Sequence, residues 1–167
     1  GKHMSLENYK NIIKQASDLG VMQVALGGGN PNQHPDFKKI LKITRELGII
    51  PSYTTNGIGL TEEVLKASKE FCGAVAVSLY EPYTESYEAI MKLINNKIKT
   101  NIHFILSSKT IDNAIELLNK LPKEIEGINA IIFLNYKPQN EIDRYNLKNT
   151  KKISEFFHII NHKILPF

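Results

Sequence analysis

The chain has 167 residues, 42% hydrophobic and 23% charged, with a net charge of +4 from 21 basic and 17 acidic side chains. This balance excludes a disordered chain, and no apolar run approaches the ~20 residues that span a bilayer. The single cysteine, Cys72, excludes an internal disulfide and any cysteine-rich metal or cluster site built from this chain alone, and it points to a reducing compartment, the cytoplasm.

In chain order, Ser5 to Leu19 carries Leu6, Tyr9, Ile12, Ile13 and Ala16 at helical spacing, with Ser5 as N-cap and Gly20 as the stop. Val21 to Leu26 is a short β-rich run. Pro35 to Leu47 is a second helix, closed by Gly48, and Ile49 to Thr54 a second strand ending in the turn Thr55-Asn56-Gly57. Thr61 caps a helix to Phe71, with Glu62 and Glu63 in the first turn, where the helix dipole favours acids. Next come a strand from Ala74 to Leu79, a helix from Thr84 to Asn95 and a strand from Ile98 to Leu106. A helix from Thr110 to Leu121 stops before Pro122, and Ile128 to Leu134 is an almost wholly apolar strand. A polar stretch from Asn135 to Lys148 precedes a last helix from Asn149 to His162, and Ile164 to Phe167 reads as the start of another strand.

The order is five strands alternating with six helices, in one domain over residues 1–167. Strands such as Ala74-Val75-Ala76-Val77 and Ile131-Ile132-Phe133-Leu134 are apolar on both faces, as in a parallel sheet covered by helices. An open doubly wound sheet and a complete or partial (β/α) barrel both fit. Both place ligands beyond the carboxyl ends of the strands. There the chain offers Gly27-Gly28-Gly29-Asn30-Pro31, then Thr54 to Gly57, then Ser78 and Tyr80. His103 lies inside the fourth strand with Ser107-Ser108 at its end, and Asn135, Tyr136 and Lys137 follow the fifth. These are mostly small or neutral hydrogen-bonding groups. No carboxylate pair is spaced for glycoside hydrolysis, no Ser/His/Asp order stands out, and no His and acid run suggests a closed metal site. The glycine loop has neither the G-x-G-x-x-G spacing nor a following Gly-Lys-Ser/Thr. The pattern favours binding of a polar, zwitterionic or nucleoside-like ligand over acid–base hydrolysis. Lysines interleave with acids, which reads as a solvated surface, and no nucleic-acid or membrane partner is expected.

Gly28-Gly29-Asn30-Pro31 followed by Gln33-His34-Pro35-Asp36-Phe37 resembles the GGEP loop and HPDF segment of radical S-adenosylmethionine (radical SAM) enzymes. Leu47-Gly48-Ile49 with Thr54-Thr55-Asn56-Gly57 is similar to that family's G(I/L)…TTNG, and Val77-Ser78-Leu79 to its VSLDG strand end. The resemblance runs from about Leu6 to Leu134. It implies a partial TIM-like (β/α) barrel of parallel strands whose first strand is missing. Two departures stand out: Asn30 replaces the usual Glu, and the CxxxCxxC segment that holds a [4Fe–4S] cluster is absent. The simplest account is a fragment; the rival is a relative without the cluster.

By that resemblance, Gly28, Gly29, Asn30 and Pro31 meet the methionine end of SAM, mainly through backbone carbonyls. Thr55, Asn56 and Ser78 lie near its carboxylate and ribose, His103 or Ser107 on the ribose or adenine side, and Tyr136 beside the adenine. In intact form the enzyme uses SAM and a [4Fe–4S] cluster, whose ligands are not in this chain, to form a 5′-deoxyadenosyl radical. The partner is a small-molecule or peptide substrate. The chain alone is expected to have no activity. A non-catalytic nucleoside- or peptide-binding domain and an aldolase- or epimerase-like barrel are the alternatives. Several residues also have local readings: His34 as part of a helix start, Cys72 as a small buried side chain, His158 and His162 as an i, i+4 pair without a third ligand, and Lys137 and Arg144 as solvated loop.

Overall fold

The computed structural model describes residues 3–138, 145–148 and 150–162. Helix α1 (Leu6–Asp18) starts where Ser5 Oγ accepts the Asn8 N–H at 3.2 Å. Strand β1 (Gln23–Leu26) follows, then α2 (Phe37–Glu46), β2 (Ile50–Thr55), α3 (Glu62–Phe71) and β3 (Ala74–Ser78). The chain continues through α4 (Thr84–Asn95), β4 (Thr100–Leu106), α5 (Ile111–Asn119), β5 (Ala130–Asn135) and α6 (Thr150–His162). Single 3-10 turns at Pro31–Gln33 and Lys123–Ile125 add to the expected pattern.

All strand pairs are parallel, and the spatial order is β1-β2-β3-β4-β5. That order decides between the two arrangements open from sequence. A doubly wound sheet reverses its strand order at a switch point; this one never does. Right-handed crossovers then lay the helices on one face, and the sheet curls into a half-barrel.

The convex face is the core. Tyr53, Val75, Val77, Ile102, Phe104 and Leu106 pack with Leu41 of α2, Leu65 of α3, Leu93 of α4, Leu118 of α5 and Phe156 of α6 in one cluster. A smaller cluster seats α1 through Tyr9 and Ile13 on Ile40 and Ile49. Thr44 gives its hydroxyl proton to the Ile40 carbonyl at 2.7 Å, so the buried Tyr9 hydroxyl donates to Thr44 Oγ1 at 2.6 Å. Burial raises the Tyr9 pKa, which keeps that donor protonated.

The concave face differs from the two-sided cover that the apolar strands suggest. Ile105 and Ile132 are 37% exposed and Leu134 42%, all on the side opposite the helices. A closed barrel buries such positions against the strands opposite; in a five-stranded half they face open space.

Several boundaries also move inward. Val21 donates to the Ala16 carbonyl and so closes α1 instead of starting β1. Lys97, at φ 61°, turns the chain before β4 can begin at Thr100. His34 Nδ1 accepts the Asp36 N–H at 3.0 Å, and α2 starts only at Phe37. The strand expected at Ile164 to Phe167, the helix start at Asn149 and Arg144 lie outside the described residues. Among those described, no helix is long and apolar enough to cross a membrane.

Candidate functional site

The carboxyl ends of β1 and β2 build the site. Beyond Leu26 the backbone runs through Gly27, Gly28 and Gly29, with φ at 84° for Gly28 and 49° for Gly29. A side chain disfavours that left-handed region. A Cβ built on any of the three would meet no atom within 4 Å. The glycines therefore do not make room for other parts of this chain. They set the turn and leave bare backbone facing open space. That space is a cavity of about 520 Å³ lined by Ala25 to Asn30, Gln33, Thr54, Thr55, Asn56, Ile58, Ser78 and Tyr80. A second space of about 570 Å³ lies on the loop's other side, where Pro31 joins Met4, Tyr9, His34 and Phe37 in its lining.

The turn after β2 is held by its own side chains. Gly57 N–H donates to Thr55 Oγ1 and Ile58 N–H to Asn56 Oδ1, each at 3.0 Å. Asn30 ties the two loops together. Its Oδ1 accepts the Asn56 N–H at 3.0 Å and the Thr55 hydroxyl at 3.3 Å, and its Nδ2 donates to Asn56 Oδ1. Asn32, 5% exposed, donates from Nδ2 to the Ile58 carbonyl at 2.7 Å, and its buried Oδ1 has no hydrogen-bond partner.

No carboxylate, ammonium or imidazole lines the 520 Å³ cavity. It offers hydrogen bonds and backbone dipoles, so it can hold a polar ligand but brings no acid or base to it. Its volume lies within the ~300–1,000 Å³ range of small-molecule sites.

The structure brings together Gly28, Gly29, Asn30, Thr55, Asn56 and Ser78 on this cavity. Gln33, Ile58 and Tyr80 join them without having been singled out as binders. Tyr80 follows Ser78 by two residues, the strand period that returns a side chain to one face. His103 lies deeper on the concave face, with Nδ1 3.4 Å from Thr54 Oγ1. Burial lowers its pKa, so the ring is neutral at pH 7. Ser107 is 5% exposed and tied into the start of α5, where its N–H donates to Thr110 Oγ1 at 2.9 Å and its hydroxyl lies 3.0 Å from that oxygen. Tyr136 follows β5, with its N–H on the Leu106 carbonyl at 2.7 Å and its ring 6.0 Å from that of Tyr145. Lys137, the next residue, is exposed, as its solvated-loop reading expects.

The remaining singled-out residues have local partners. His34 Nδ1 accepts the Asp36 N–H, so Nε2 carries the proton and donates to the Met4 carbonyl at 2.9 Å. His162 Nδ1 lies 2.8 Å from the His158 carbonyl. No group of three His, Cys, Asp or Glu among the described residues is placed to hold a metal. Cys72 caps α3 at the opposite end of β3 from the cavity, and burial pushes its thiol pKa up to about 12. A [4Fe–4S] cluster needs several thiolates, so this chain's own residues do not fit one.

A family model for the radical SAM superfamily matches residues 1–147. The chain belongs to the radical SAM superfamily. Among curated relatives, a PqqA peptide cyclase of Streptomyces rochei is 37% identical over 60 residues, which cover 36% of this chain and 16% of that protein. Among solved structures, Streptococcus suis SuiB bound to S-adenosylmethionine superposes with a TM-score of 0.77 at 16% identity, over 96% of this chain and 41% of SuiB. SuiB has also been solved with its precursor peptide SuiA. The anSMEcpe structure with bound AdoMet matches at a TM-score of 0.72 and 20% identity, over 95% of this chain and 51% of that one. At these identities the likeness is one of fold. The radical SAM chain described here thus spans under half of SuiB and about a sixth of the cyclase.

Proposed function

We propose that this chain is the SAM-holding portion of a radical SAM enzyme that modifies a peptide substrate. One observation carries the reading. In a chain of this superfamily, the glycine loop and the Asn56 turn end adjacent strands and open on one uncharged cavity of about 520 Å³. The cradle fits a methionine moiety, since a Cβ on Gly27, Gly28 or Gly29 would project into space no protein atom fills. Backbone carbonyls of Gly28, Gly29 and Asn30 would accept from the ligand's ammonium. Asn56 and Ser78 would donate toward its carboxylate and ribose, while Thr55, whose hydroxyl proton goes to Asn30 Oδ1, would hold the two loops in place. Tyr136 would lie on the adenine side. These residues would hold and orient SAM, which together with a reduced [4Fe–4S] cluster bound by residues other than these would supply the chemistry of hydrogen abstraction. The peptide is supported by the names of the relatives, a peptide cyclase and an enzyme solved with its precursor peptide. The exposed apolar residues Ile105, Ile132 and Leu134 give the concave face a wall suited to apolar side chains.

Titration of the isotope-labelled chain with SAM tests the reading. The expected result is saturable shifts of the Gly27 to Gly29, Asn56 and Ser78 amides, with the α5 amides unmoved. Shifts absent at millimolar SAM, or spread over α5, would overturn it.

A further inference from the structure

Asn30 stands where the superfamily loop usually carries Glu, and the structure shows what the amide does there. Its four hydrogen-bonding positions are directed into the protein. Oδ1 accepts from the Asn56 N–H and the Thr55 hydroxyl; Nδ2 donates to Asn56 Oδ1 and, at a long 3.5 Å, toward the Ile58 carbonyl. Neither amide can be turned over. The Asn56 N–H fixes which Asn30 atom is oxygen, and the Ile58 N–H on Asn56 Oδ1 fixes the other. A carboxylate at position 30 would keep the two accepted bonds but set an anionic oxygen against Asn56 Oδ1, an acceptor against an acceptor.

We infer that the Asn30 side chain is a positioning group that latches the glycine loop to the Asn56 turn, and that this side chain is not itself a ligand group. The latch leaves the cavity without an anionic side chain, so a bound amino-acid ligand's ammonium is met by neutral backbone carbonyls alone. The ligand half of this inference rests on the SAM reading above; the latch does not.

Amide spectra of the wild-type chain, Asn30→Asp and Asn56→Asp, recorded without ligand between pH 7 and pH 3.5, test the latch. At pH 7 Asn30→Asp shifts the Asn56, Gly57 and Ile58 amides away from their wild-type positions. Acidification returns them, because the introduced carboxyl, once protonated, regains the proton that Asn56 Oδ1 needs. Asn56→Asp keeps the wild-type pattern at pH 7, since its carboxylate accepts from both Asn30 Nδ2 and Ile58 N–H. A simple effect of added charge would move both variants alike. The latch is overturned if Asn30→Asp keeps the wild-type amides at pH 7, or if acid fails to restore them. SAM affinity is measured on the same samples. At least tenfold weaker binding by Asn30→Asp at pH 7 is expected, and tighter binding would overturn the claim that the Asn30 side chain is not a ligand group. If no sample binds SAM, the cofactor reading fails while the amide result still decides the latch.

Discussion

Thr54 Oγ1 lies 3.4 Å from His103 Nδ1, reaching diagonally across β3, where Thr54 is in register with Ala76 and His103 with Ser78. The contact ties β2 to β4 on the concave face, directly beneath the strand-end cavity. Burial holds the His103 imidazole below its ordinary value of about 6.5. As pH falls through about 6.5, the unfolded chain takes up a proton that the folded chain refuses. The stability tied to a neutral His103 is therefore complete above that pH and is lost as pH falls toward the folded-state pKa. His103→Gln removes the proton uptake and keeps a hydrogen-bonding group. Its thermal midpoint should fall less than that of the wild type between pH 7 and pH 5. Parallel pH profiles for the two proteins would show that His103 carries no such penalty.

Gly57 sits at φ 94°, and a Cβ there would lie 2.6 Å from Ala89 Cβ on α4. Gly20 has a similar φ of 77°, but a Cβ there would meet nothing within 4 Å. The pair separates backbone strain from steric overlap. Left-handed backbone costs a non-glycine residue roughly 1–2 kcal/mol. Overpacking of a filled contact adds about 1–3 kcal/mol. Gly20→Ala should thus lose about 1–2 kcal/mol in urea unfolding and Gly57→Ala about 2–5 kcal/mol. Equal losses would mean that α4 yields to the extra methyl and does not brace the turn. Because the same turn carries Asn56, Gly57→Ala should also weaken SAM binding, whereas Gly20→Ala, at the far end of α1, should leave it unchanged.

Much of this architecture is legible in the chain. Apolar runs of strand length alternate with amphipathic helices and are punctuated by Gly20, Gly48, Gly57 and Gly73, so the five strands and six helices can be read in order. Sheet order is not local information; it becomes readable only through the resemblance carried by the GGNP, TTNG and VSL segments. The latch is illegible for the same reason, since Asn30 and Asn56 are 26 residues apart and nothing in either loop names the other. Ser107 shows the opposite case. Its place at a strand end suggests a ligand, yet the Ser-x-x-Thr spacing to Thr110 at a helix start already signals a local turn. The exposure of Ile132 and Leu134 depends on what faces the concave side, which strand composition does not encode.

Cys72 provides the last prediction. The thiol lies between α3 and β3, packed against the core, and burial outweighs both the Ser68 hydrogen bond and the positive charge of Arg45 in setting its pKa at about 12. Thiolate is the reactive form. At pH 8 a group of this kind is ionised to roughly one part in ten thousand, against about a quarter for an ordinary thiol. A disulfide reagent such as DTNB should therefore react at least ~100-fold more slowly with the folded chain than with the chain in denaturant. The same chemistry decides cluster binding. One protonated thiol, at the end of β3 remote from the cavity, cannot hold iron in place of several thiolates. Anaerobic treatment of this chain with iron and sulfide should give no stoichiometric iron and no cluster absorbance, and Cys72→Ala should behave identically. A stoichiometric cluster on the 167-residue chain that is lost in Cys72→Ala would mean that the thiol ionises and is reached, and that the folded environment described for it is wrong.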